Sequence, residues 1–339
     1  MKAIFLIRTG VPEKAFEIRE TEIPKGGDEE LLIKTEGFGL NFADIVAREG
    51  MYREAPPLPS ILGYDVVGRV ISCGSRVTDF NKDDRVVALT RFGGYAEYAV
   101  TNFRVAVKIP DAIPVASAST LATQFCTAYY CAAVAANLRD GEKVIIHTAS
   151  GGVGNALMQF SNYKKCEIFA TTSSSSKVDF LKLQGANHVL DISDKNFYDA
   201  IYEITGGDGV DVIFDALGGA FVRKGIRLLA PAGRIVCYGA SQMTGTNLMN
   251  RIITGMQFGF YHPAQFMMTS KSLIGVNMLR IADKRPAVIQ HCLQEVIRLF
   301  NQGTLVPLEG KLFNAKEIAT AHRYLQEKKA IGKVALVWN

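Results

Sequence analysis

The chain has 339 residues, of which 48% are hydrophobic and 21% are charged, and its formal net charge is +5. This length allows two domains, and the composition is that of an ordinary globular protein. Lysine and arginine are scattered, and glycine or charged residues interrupt every long apolar run, so we expect neither a nucleic-acid partner nor integral membrane contact.

The first residues predict a strand and not a targeting segment. Residues 1–8 form an apolar run that charge interrupts early, and no small-residue cleavage site follows it. Six cysteines are spread along the chain without a C-x-x-C pair, which favours reduced, buried thiols over disulfides or structural zinc. We therefore expect a cytoplasmic protein.

Short strand-like runs dominate the first 120 residues. They lie at 31–34, 66–71, 85–89 and 95–100, with glycine, proline, asparagine and aspartate between them. This pattern predicts a small barrel-like domain without alternating helices. The alanine- and threonine-rich residues 116–137 then predict a helix.

A glycine-rich turn, Ala-Ser-Gly-Gly-Val-Gly at 149–154, joins the apolar run 143–147 to a helical run at 155–160. Glycines let the backbone approach a phosphate, and a helix start offers N–H groups to an anion. Alanine replaces the first glycine of G-x-G-x-x-G, so the motif alone is a weak signal for a dinucleotide. The residues expected to contact its pyrophosphate are Ser150, Gly151, Gly152, Val153 and Gly154.

Strands and helices alternate after this turn. Further strand-like runs lie at 167–171, 188–190, 210–214, 233–238 and 272–276, with helical stretches between several of them. Six strands with crossovers of this length predict a doubly wound parallel sheet, the α/β Rossmann architecture. The chain from residue 286 predicts a helix, a strand, a second helix and a final strand that return to the first domain.

Residues 242–271 interrupt this alternation with a segment rich in methionine and aromatic residues. Three interpretations stay open at this point: a substrate lid, a subunit contact or a simply packed excursion.

The end of the second Rossmann strand indicates which dinucleotide binds. A carboxylate about 20 residues after the glycines would accept the ribose hydroxyls of NAD and repel the 2′-phosphate of NADP. Residues 171–177 read Thr-Thr-Ser-Ser-Ser-Ser-Lys, and the next acidic residue is Asp179. We therefore predict NADPH, with its phosphate held by Thr172, Ser173, Ser174 and Lys177. Because ligands lie at the carboxyl ends of such strands, the fifth strand adds Tyr238, Gly239, Ala240 and Ser241.

Several motifs follow one another along nearly the whole chain. N-x-x-D-x-x-x-R-x-G-x-Y begins at residue 41, G-Y-D-V-V-G at 63, G-G-Y-A-E-Y at 93, D-A-L-G-G at 215 and G-K-V at 332. Together with the glycine turn, this set resembles the medium-chain dehydrogenase/reductase superfamily, and the first motif resembles its zinc-independent quinone oxidoreductases. Residues 299–303 and 326–334 are similar to the vesicle amine transport protein branch.

The resemblance implies a GroES-like β-barrel catalytic domain over 1–120, a Rossmann NADP-binding domain over 121–278 and a return to the catalytic domain over 279–339. It implies a cofactor in the cleft between the domains and a homodimer, for which the strand at 272–276 also offers an edge. The residues it places near the cofactor are Asn41, Asp44, Tyr52, Gln124, Thr127 and Leu217.

Zinc-dependent members of the superfamily have a cysteine at the position of Asn41, and a histidine beside a glutamate at Tyr64 and Asp65. Asparagine and tyrosine are not usual zinc ligands, and catalytic zinc needs about three protein ligands. The four-cysteine lobe of those enzymes, expected after residue 90, is missing from the sequence. We therefore predict no metal, with Tyr64 shaping the catalytic pocket.

Without such ligands, reduction of an electron-poor acceptor is favoured over alcohol oxidation. The resulting hypothesis is an NADPH-dependent reductase of quinones or α,β-unsaturated carbonyls, whose developing charge hydrogen-bond donors stabilise. Asn41 would donate to a ribose or carbonyl oxygen, and Tyr52 would stabilise an enolate or supply a proton. The alternatives are an enoyl-thioester or other double-bond reductase, and an NADPH-binding sensor or adaptor with little turnover.

The candidate residues also have structural interpretations. Asp44 and Arg48 are four residues apart, which on a helix favours an ion pair over direct catalysis. Tyr52 is equally suited to packing, and Gln124 and Thr127 to helix capping. Many quinone oxidoreductases have a tyrosine at the position of Ile192, so the phosphate site here would depend more on the serines and Lys177.

Overall fold

The computed structural model describes residues 1–194, 196–245 and 247–338. Its strands are β1 (Lys2–Leu6), β2 (Phe16–Glu20), β3 (Glu30–Leu40), β4 (Ser60–Ile61), β5 (Asp65–Cys73), β6 (Arg85–Leu89), β7 (Tyr98–Asn102), β8 (Ala106–Lys108), β9 (Lys143–Ile146), β10 (Glu167–Thr172), β11 (His188–Asp191), β12 (Val210–Asp215), β13 (Leu229–Cys237), β14 (Ser272–Gly275), β15 (Lys311–Asn314) and β16 (Val334–Val337). Its α-helices are α1 (Pro12–Ala15), α2 (Phe42–Arg48), α3 (Val115–Thr120), α4 (Cys126–Tyr129), α5 (Gly152–Tyr163), α6 (Val178–Leu183), α7 (Phe197–Ile204), α8 (Ala220–Leu228), α9 (Leu248–Gln257), α10 (Pro263–Thr269), α11 (Met278–Lys284), α12 (Pro286–Asn301) and α13 (Ile318–Gln326).

The described chain divides into two compact units. The first unit holds Met1–Cys126 together with the described residues from Met278 onward, and the second holds Thr127–Asn277. The sequence-based division has its boundaries at 120 and 278.

The first unit is built on antiparallel strands. Its larger sheet has the order β15-β16-β3-β5-β6-β8, with β7 also paired to β3, and a smaller sheet has the order β2-β1-β4. The final strand β16 pairs antiparallel with β3, so the C-terminal residues complete this sheet. Alternate residues of the strands, among them Ile33, Val66 and Leu336, are fully buried in one core. The predicted GroES-like fold is confirmed.

The second unit contains a six-stranded sheet with the order β11-β10-β9-β12-β13-β14. Every neighbouring pair in it is parallel. The strand order reverses between β9 and β12, which is the arrangement that places a ligand beyond the carboxyl ends of the strands. The doubly wound Rossmann prediction is therefore confirmed.

The helical region predicted over 116–137 is less regular than its composition indicates. Two π-helical segments, Leu121–Phe125 and Tyr130–Ala135, lie on either side of α4. Segments of this type interrupt the usual i→i−4 hydrogen bonding, and they occur often at functional sites.

The described part of 242–271 forms two helices, α9 and α10. Large apolar side chains are exposed in these helices and between them: Met256 is 61% accessible, Met268 is 82% accessible, and Phe260, which lies between the helices, is 95% accessible. Three aromatic side chains of the same segment, Phe258, Tyr261 and Phe266, pack against the core of the second unit. The lid, the subunit contact and the packed excursion therefore all stay predictions. Among the described residues, no helix combines the length and the apolar character needed to cross a membrane.

Candidate functional site

The glycine turn of the second unit lies between β9 and α5. Helix α5 begins after Gly151, which has no side chain to cap the N–H groups of the first turn. A Cβ atom at residue 154 would lie 2.4 Å from the carbonyl oxygen of Thr148, so the close backbone approach requires Gly154. An uncapped helix start behind a cradle of glycine backbone fits a pyrophosphate group.

Ala149, at the position of the first motif glycine, is fully buried. Its N–H donates to the carbonyl oxygen of Thr171 in β10 at 3.1 Å. The alanine therefore packs into the domain and ties the turn to the neighbouring strand.

The end of β10 presents hydroxyl groups. The Thr172 hydroxyl accepts a hydrogen bond from the Ser174 N–H at 3.1 Å, and the Ser174 and Ser176 hydroxyl oxygens are 2.9 Å apart. Ser173 is exposed, whereas Lys177 is largely buried at the start of α6. Hydroxyl groups and a lysine form a set that suits the 2′-phosphate of NADP.

The carboxyl ends of β12 and β13 meet in the same unit. Asp215 accepts hydrogen bonds from the N–H groups of Leu217 at 3.3 Å and Gly218 at 2.9 Å. Its carbonyl oxygen accepts from the Tyr238 N–H at 3.0 Å, and the Ser241 N–H donates to the carbonyl oxygen of Ala216. The structure thus brings the predicted contact Leu217 beside the predicted contacts Tyr238, Gly239, Ala240 and Ser241.

The sequence analysis assigned no role to Asp215, which is the first residue of the D-A-L-G-G motif. The side chain is fully buried, and burial raises its pKa to about 6. Its position at the end of an apolar strand, directly before a glycine-containing turn, is the signal that identifies it as an organiser of that turn.

His147 directly follows β9, and its backbone N–H donates to the carbonyl oxygen of Phe214 in β12 at 3.1 Å. Its Nδ1 is 3.1 Å from the Thr171 hydroxyl oxygen, and its Nε2 is 3.2 Å from that of Tyr198. Burial lowers the pKa of His147 to about 3, so the ring is neutral at physiological pH. These contacts give His147 a structural role at the end of a buried strand.

The predicted catalytic residues all belong to the first unit, where Asn41 joins a buried polar cluster. The Asn41 side-chain N–H donates to Asp65 Oδ2 at 2.7 Å. Lys333 Nζ donates to Asn41 Oδ1 and to Asp65 Oδ2, each at 2.8 Å. Sequence reasoning did not assign Lys333, although the G-K-V motif contains it, because 268 residues separate it from Asp65.

Asp44 caps helix α2 and does not form the ion pair predicted with Arg48. Its carboxylate accepts the Asn41 backbone N–H at 2.8 Å, which closes a capping box at the helix start. Arg48 instead donates to Gln326 Oε1 at 2.7 Å and lies 3.4 Å from Glu49 Oε1. The prediction was wrong because the first-turn carboxylate points back to the helix start, whereas the last-turn guanidinium reaches α13.

The electrostatics of Asp44 are unusual for an aspartate. Burial raises its pKa to about 7, the Asn41 N–H opposes that rise, and the Asp65 charge adds to it. A carboxyl with this pKa exchanges protons near neutral pH.

Tyr52 and Tyr64 contact each other edge to face, with ring centroids 5.9 Å apart. The Tyr64 ring also packs against Phe92 at 5.2 Å. Burial raises the pKa of both hydroxyls, so both carry their protons at neutral pH. The two rings thus combine core packing with hydroxyl groups that can donate.

Gln124 and Thr127 fall on opposite sides of the boundary between the units. Gln124 lies in the π-helical segment Leu121–Phe125, and its buried Oε1 has no hydrogen-bond partner among the described residues. An unpaired buried carbonyl oxygen of this kind fits a ligand that donates an N–H, such as a carboxamide. Thr127 lies in α4 and is largely buried.

Within the described ranges, no group of three or more histidine, cysteine, aspartate or glutamate side chains is arranged to hold a metal ion. The positive charge in the buried polar cluster around Asn41 is carried by the Lys333 ammonium group.

Two family models match the chain. The alcohol dehydrogenase GroES-like domain matches residues 27–111, and the zinc-binding dehydrogenase model matches residues 152–300. The chain is 32% identical to the synaptic vesicle membrane protein VAT-1 homolog of Rattus norvegicus, over 97% of this chain and 81% of the relative.

Solved structures of similar proteins cover both units. A Pseudomonas syringae quinone oxidoreductase has a TM-score of 0.85 at 26% identity, covering 99% of each chain. The CurK enoyl reductase has a TM-score of 0.86 at 27% identity, covering 100% of this chain and 99% of the other. A mycobacterial protein complexed with NADPH has a TM-score of 0.87 at 26% identity, covering 99% of this chain and 100% of the other.

Proposed function

This chain belongs to the medium-chain dehydrogenase/reductase family of oxidoreductases, in the branch of the quinone oxidoreductases and VAT-1 homologues, and we propose that it is a zinc-independent, NADPH-dependent reductase of quinones or α,β-unsaturated carbonyls. The observation that carries the proposal lies in the second unit, where the uncapped glycine turn precedes α5 and hydroxyl groups end β10. This pairing suits a pyrophosphate and a 2′-phosphate.

The cofactor is proposed from this chain's own residues and is supported by the structural neighbour complexed with NADPH. The backbone of Gly151–Gly154 would hold the pyrophosphate, and Thr172, Ser173, Ser174 and Lys177 would hold the 2′-phosphate. When bound, NADPH supplies the hydride.

The acceptor is proposed from the donors of the first unit. Reduction of a quinone or enone places negative charge on a carbonyl oxygen, which hydrogen-bond donors stabilise. Asn41 offers an amide N–H, and the raised pKa values of Tyr52 and Tyr64 keep their hydroxyls protonated. Asp44, whose pKa is raised to about 7, adds a group that holds a proton near neutral pH.

A second candidate is reduction of an enoyl thioester, which the similarity to the CurK enoyl reductase favours. The same donors would stabilise the enolate that hydride addition to a thioester-conjugated double bond produces. The two candidates therefore differ in the acceptor and not in the cofactor.

Assays of cofactor oxidation test both candidates. The purified protein is given NADPH or NADH with a benzoquinone, an α,β-unsaturated ketone or an enoyl thioester, and its metal content is measured in parallel. We expect NADPH to be preferred, the quinone or ketone to be reduced faster than the thioester, and zinc to be substoichiometric.

Three results would contradict the proposal. A preference for NADH would contradict the proposed 2′-phosphate site. Stoichiometric zinc that is needed for turnover would contradict the zinc-independent chemistry. Tight NADPH binding without oxidation by any acceptor would instead support a cofactor-binding adaptor.

A further inference from the structure

The partners of Asn41 fix the orientation of its amide group. An ammonium only donates hydrogen bonds, so the Asn41 atom that lies 2.8 Å from Lys333 Nζ is the carbonyl oxygen. A carboxylate only accepts, so the Asn41 atom that lies 2.7 Å from Asp65 Oδ2 is the amide nitrogen. If the amide were rotated by 180°, its NH₂ group would face the Lys333 ammonium and its carbonyl oxygen would face the Asp65 carboxylate. Neither hydrogen bond could then form.

The cluster that imposes this orientation is buried and crowded. Asp65 and Lys333 have no exposed surface, and Asp65 accepts a third hydrogen bond from the Gly39 N–H at 2.8 Å. A Cβ atom at residue 39 would lie 2.1 Å from Lys333 Cε and 2.3 Å from Asp65 Oδ1. Strand β3 therefore accommodates the ion pair only because residue 39 is glycine.

One amide proton of Asn41 stays available. Asn41 donates the first amide proton to Asp65, and no acceptor for the second amide proton occurs among the described residues. Asn41 is 8% exposed, in contrast to its two fully buried partners, so it is the member of the cluster that a ligand can reach.

We propose that Lys333 and Asp65 are positioning residues that hold Asn41 as an obligatory hydrogen-bond donor to a ligand oxygen. The identity of the ligand rests on the proposed function: the oxygen is the carbonyl oxygen of the acceptor or a hydroxyl oxygen of the nicotinamide ribose. A donor held in place before the ligand arrives stabilises developing charge without reorganisation during the reaction.

The main test replaces the ion pair and leaves Asn41 intact. In Asp65→Leu/Lys333→Met both charges are lost together, a change that cores often tolerate because neither charge remains buried alone. The matched control is Asp84→Leu/Lys108→Met, which removes a partly exposed pair of the same unit with the same 2.8 Å separation. The folded state of each variant is checked by thermal unfolding.

Two functional measurements distinguish the sources of the oxygen. If the oxygen belongs to the acceptor, kcat/KM for the quinone or ketone falls about 10-fold while the Kd for NADPH is unchanged. If it belongs to the ribose, the Kd for NADPH rises about 10-fold. The control variant keeps both wild-type values.

A spectroscopic measurement tests the positioning without any ligand. In ¹⁵N-edited NMR, the side-chain amide of Asn41, assigned by its loss in Asn41→Leu, should show one proton protected from solvent exchange and one exchanging freely. In Asp65→Leu/Lys333→Met the protection should disappear.

The outcomes separate this inference from the proposed function. Wild-type Kd and kcat/KM in the folded double variant, or equal exchange of both Asn41 protons in the wild-type protein, would overturn the positioning role. Failure of the wild-type protein to bind or oxidise NADPH would overturn the proposed function, and the NMR measurement would still test the positioning. If the double variant does not fold, Asn41→Leu is measured in its place, because it leaves the ion pair intact. This variant should show the same 10-fold loss in kcat/KM or in NADPH affinity. Wild-type values of both constants in Asn41→Leu would overturn the inference.

Discussion

At the scale of single residues, the proposed phosphate site consists of groups whose surroundings differ. Ser173 is exposed, whereas the Lys177 side chain is only 9% accessible. A partly desolvated ammonium interacts more strongly with a phosphate than an exposed one does. Lys177 is therefore the side chain on which discrimination between NADPH and NADH should depend most.

The first prediction concerns this lysine. Lys177→Glu should raise the Kd for NADPH at least about 10-fold more than the Kd for NADH, because a carboxylate repels the 2′-phosphate. Binding is measured by titration of cofactor fluorescence. Lys182→Glu is the matched control, since Lys182 is an exposed lysine of the adjoining helix α6. Equal effects of Lys177→Glu on the two cofactors would remove Lys177 from the phosphate site.

A second prediction concerns the pH dependence of stability. The pKa of Asp44 is raised from 3.8 to about 7 in the folded protein, so folding favours its protonated form. Its contribution to stability is complete below pH 3.8 and is lost as the pH rises through about 7. Asp44→Asn keeps an oxygen for the capping hydrogen bond and cannot titrate.

The measurement is the free energy of unfolding of both proteins from pH 4 to pH 8. Relative to Asp44→Asn, the wild-type protein should lose roughly 2–4 kcal/mol across this range, because each unit of pKa shift corresponds to about 1.4 kcal/mol. The comparison cancels the other titrating groups, which the two proteins share. A difference that stays constant with pH would show that Asp44 has an ordinary pKa.

At the scale of elements, the turn between β9 and α5 combines two requirements. The backbone at Gly154 lies too close to Thr148 for a side chain, and the start of α5 has to stay uncapped for an anion. The packing of the strand and helix therefore requires the same backbone path as the proposed cofactor binding does.

The third prediction is that Gly154→Ala both destabilises the second unit and weakens NADPH binding. The Cβ would lie 2.4 Å from the Thr148 oxygen, and a displacement of the turn would cost about 1–3 kcal/mol. Gly255→Ala, in helix α9, is the control. No neighbouring segment lies within 4 Å of a Cβ atom at residue 255, and alanine is favoured over glycine in a helix by about 1 kcal/mol. Chemical denaturation and cofactor titration measure both effects. Wild-type stability and affinity in Gly154→Ala would contradict the close approach.

At the scale of the whole molecule, the parallel sheet of the second unit ends in an edge strand. Strand β14 ends the sheet, and among the described strands it pairs with β13 alone. Helices α9 and α10 and the residues between them expose large apolar side chains, including Met268 in α10 and Phe260 between the two helices. An open strand edge beside exposed apolar surface favours pairing with a second copy, so we propose a homodimer.

The fourth prediction tests this assembly by light scattering of the purified protein. The wild-type chain should have the mass of a dimer, and Leu273→Lys, on β14, should raise the dimer dissociation constant at least about 10-fold by burying a charge at the pairing edge. Leu183→Lys serves as the control, since Leu183 is 85% exposed on α6. A monomeric wild-type protein would contradict the proposal.

The sequence by itself determined the elements whose signals are local. The apolar run before residues 149–154 and the glycines within them predicted the β9–α5 turn, because glycine spacing and strand hydropathy are properties of neighbouring residues. The alternation of strands and helices predicted the Rossmann sheet, since short crossovers between parallel strands allow few topologies. The absent carboxylate at the end of β10 could likewise be read directly from the chain.

Only the tertiary structure decided which distant side chains meet. It replaced the predicted Asp44–Arg48 ion pair with a capping box, because α13 offers Gln326 to the guanidinium. It also brought Lys333 of the last residues against Asn41 and Asp65. Sequence spacing carries no information about such contacts, because sheet pairing between β3 and β16 sets them. The chemistry of the amide, the carboxylate and the ammonium could be named from the sequence, but their convergence is a property of the fold.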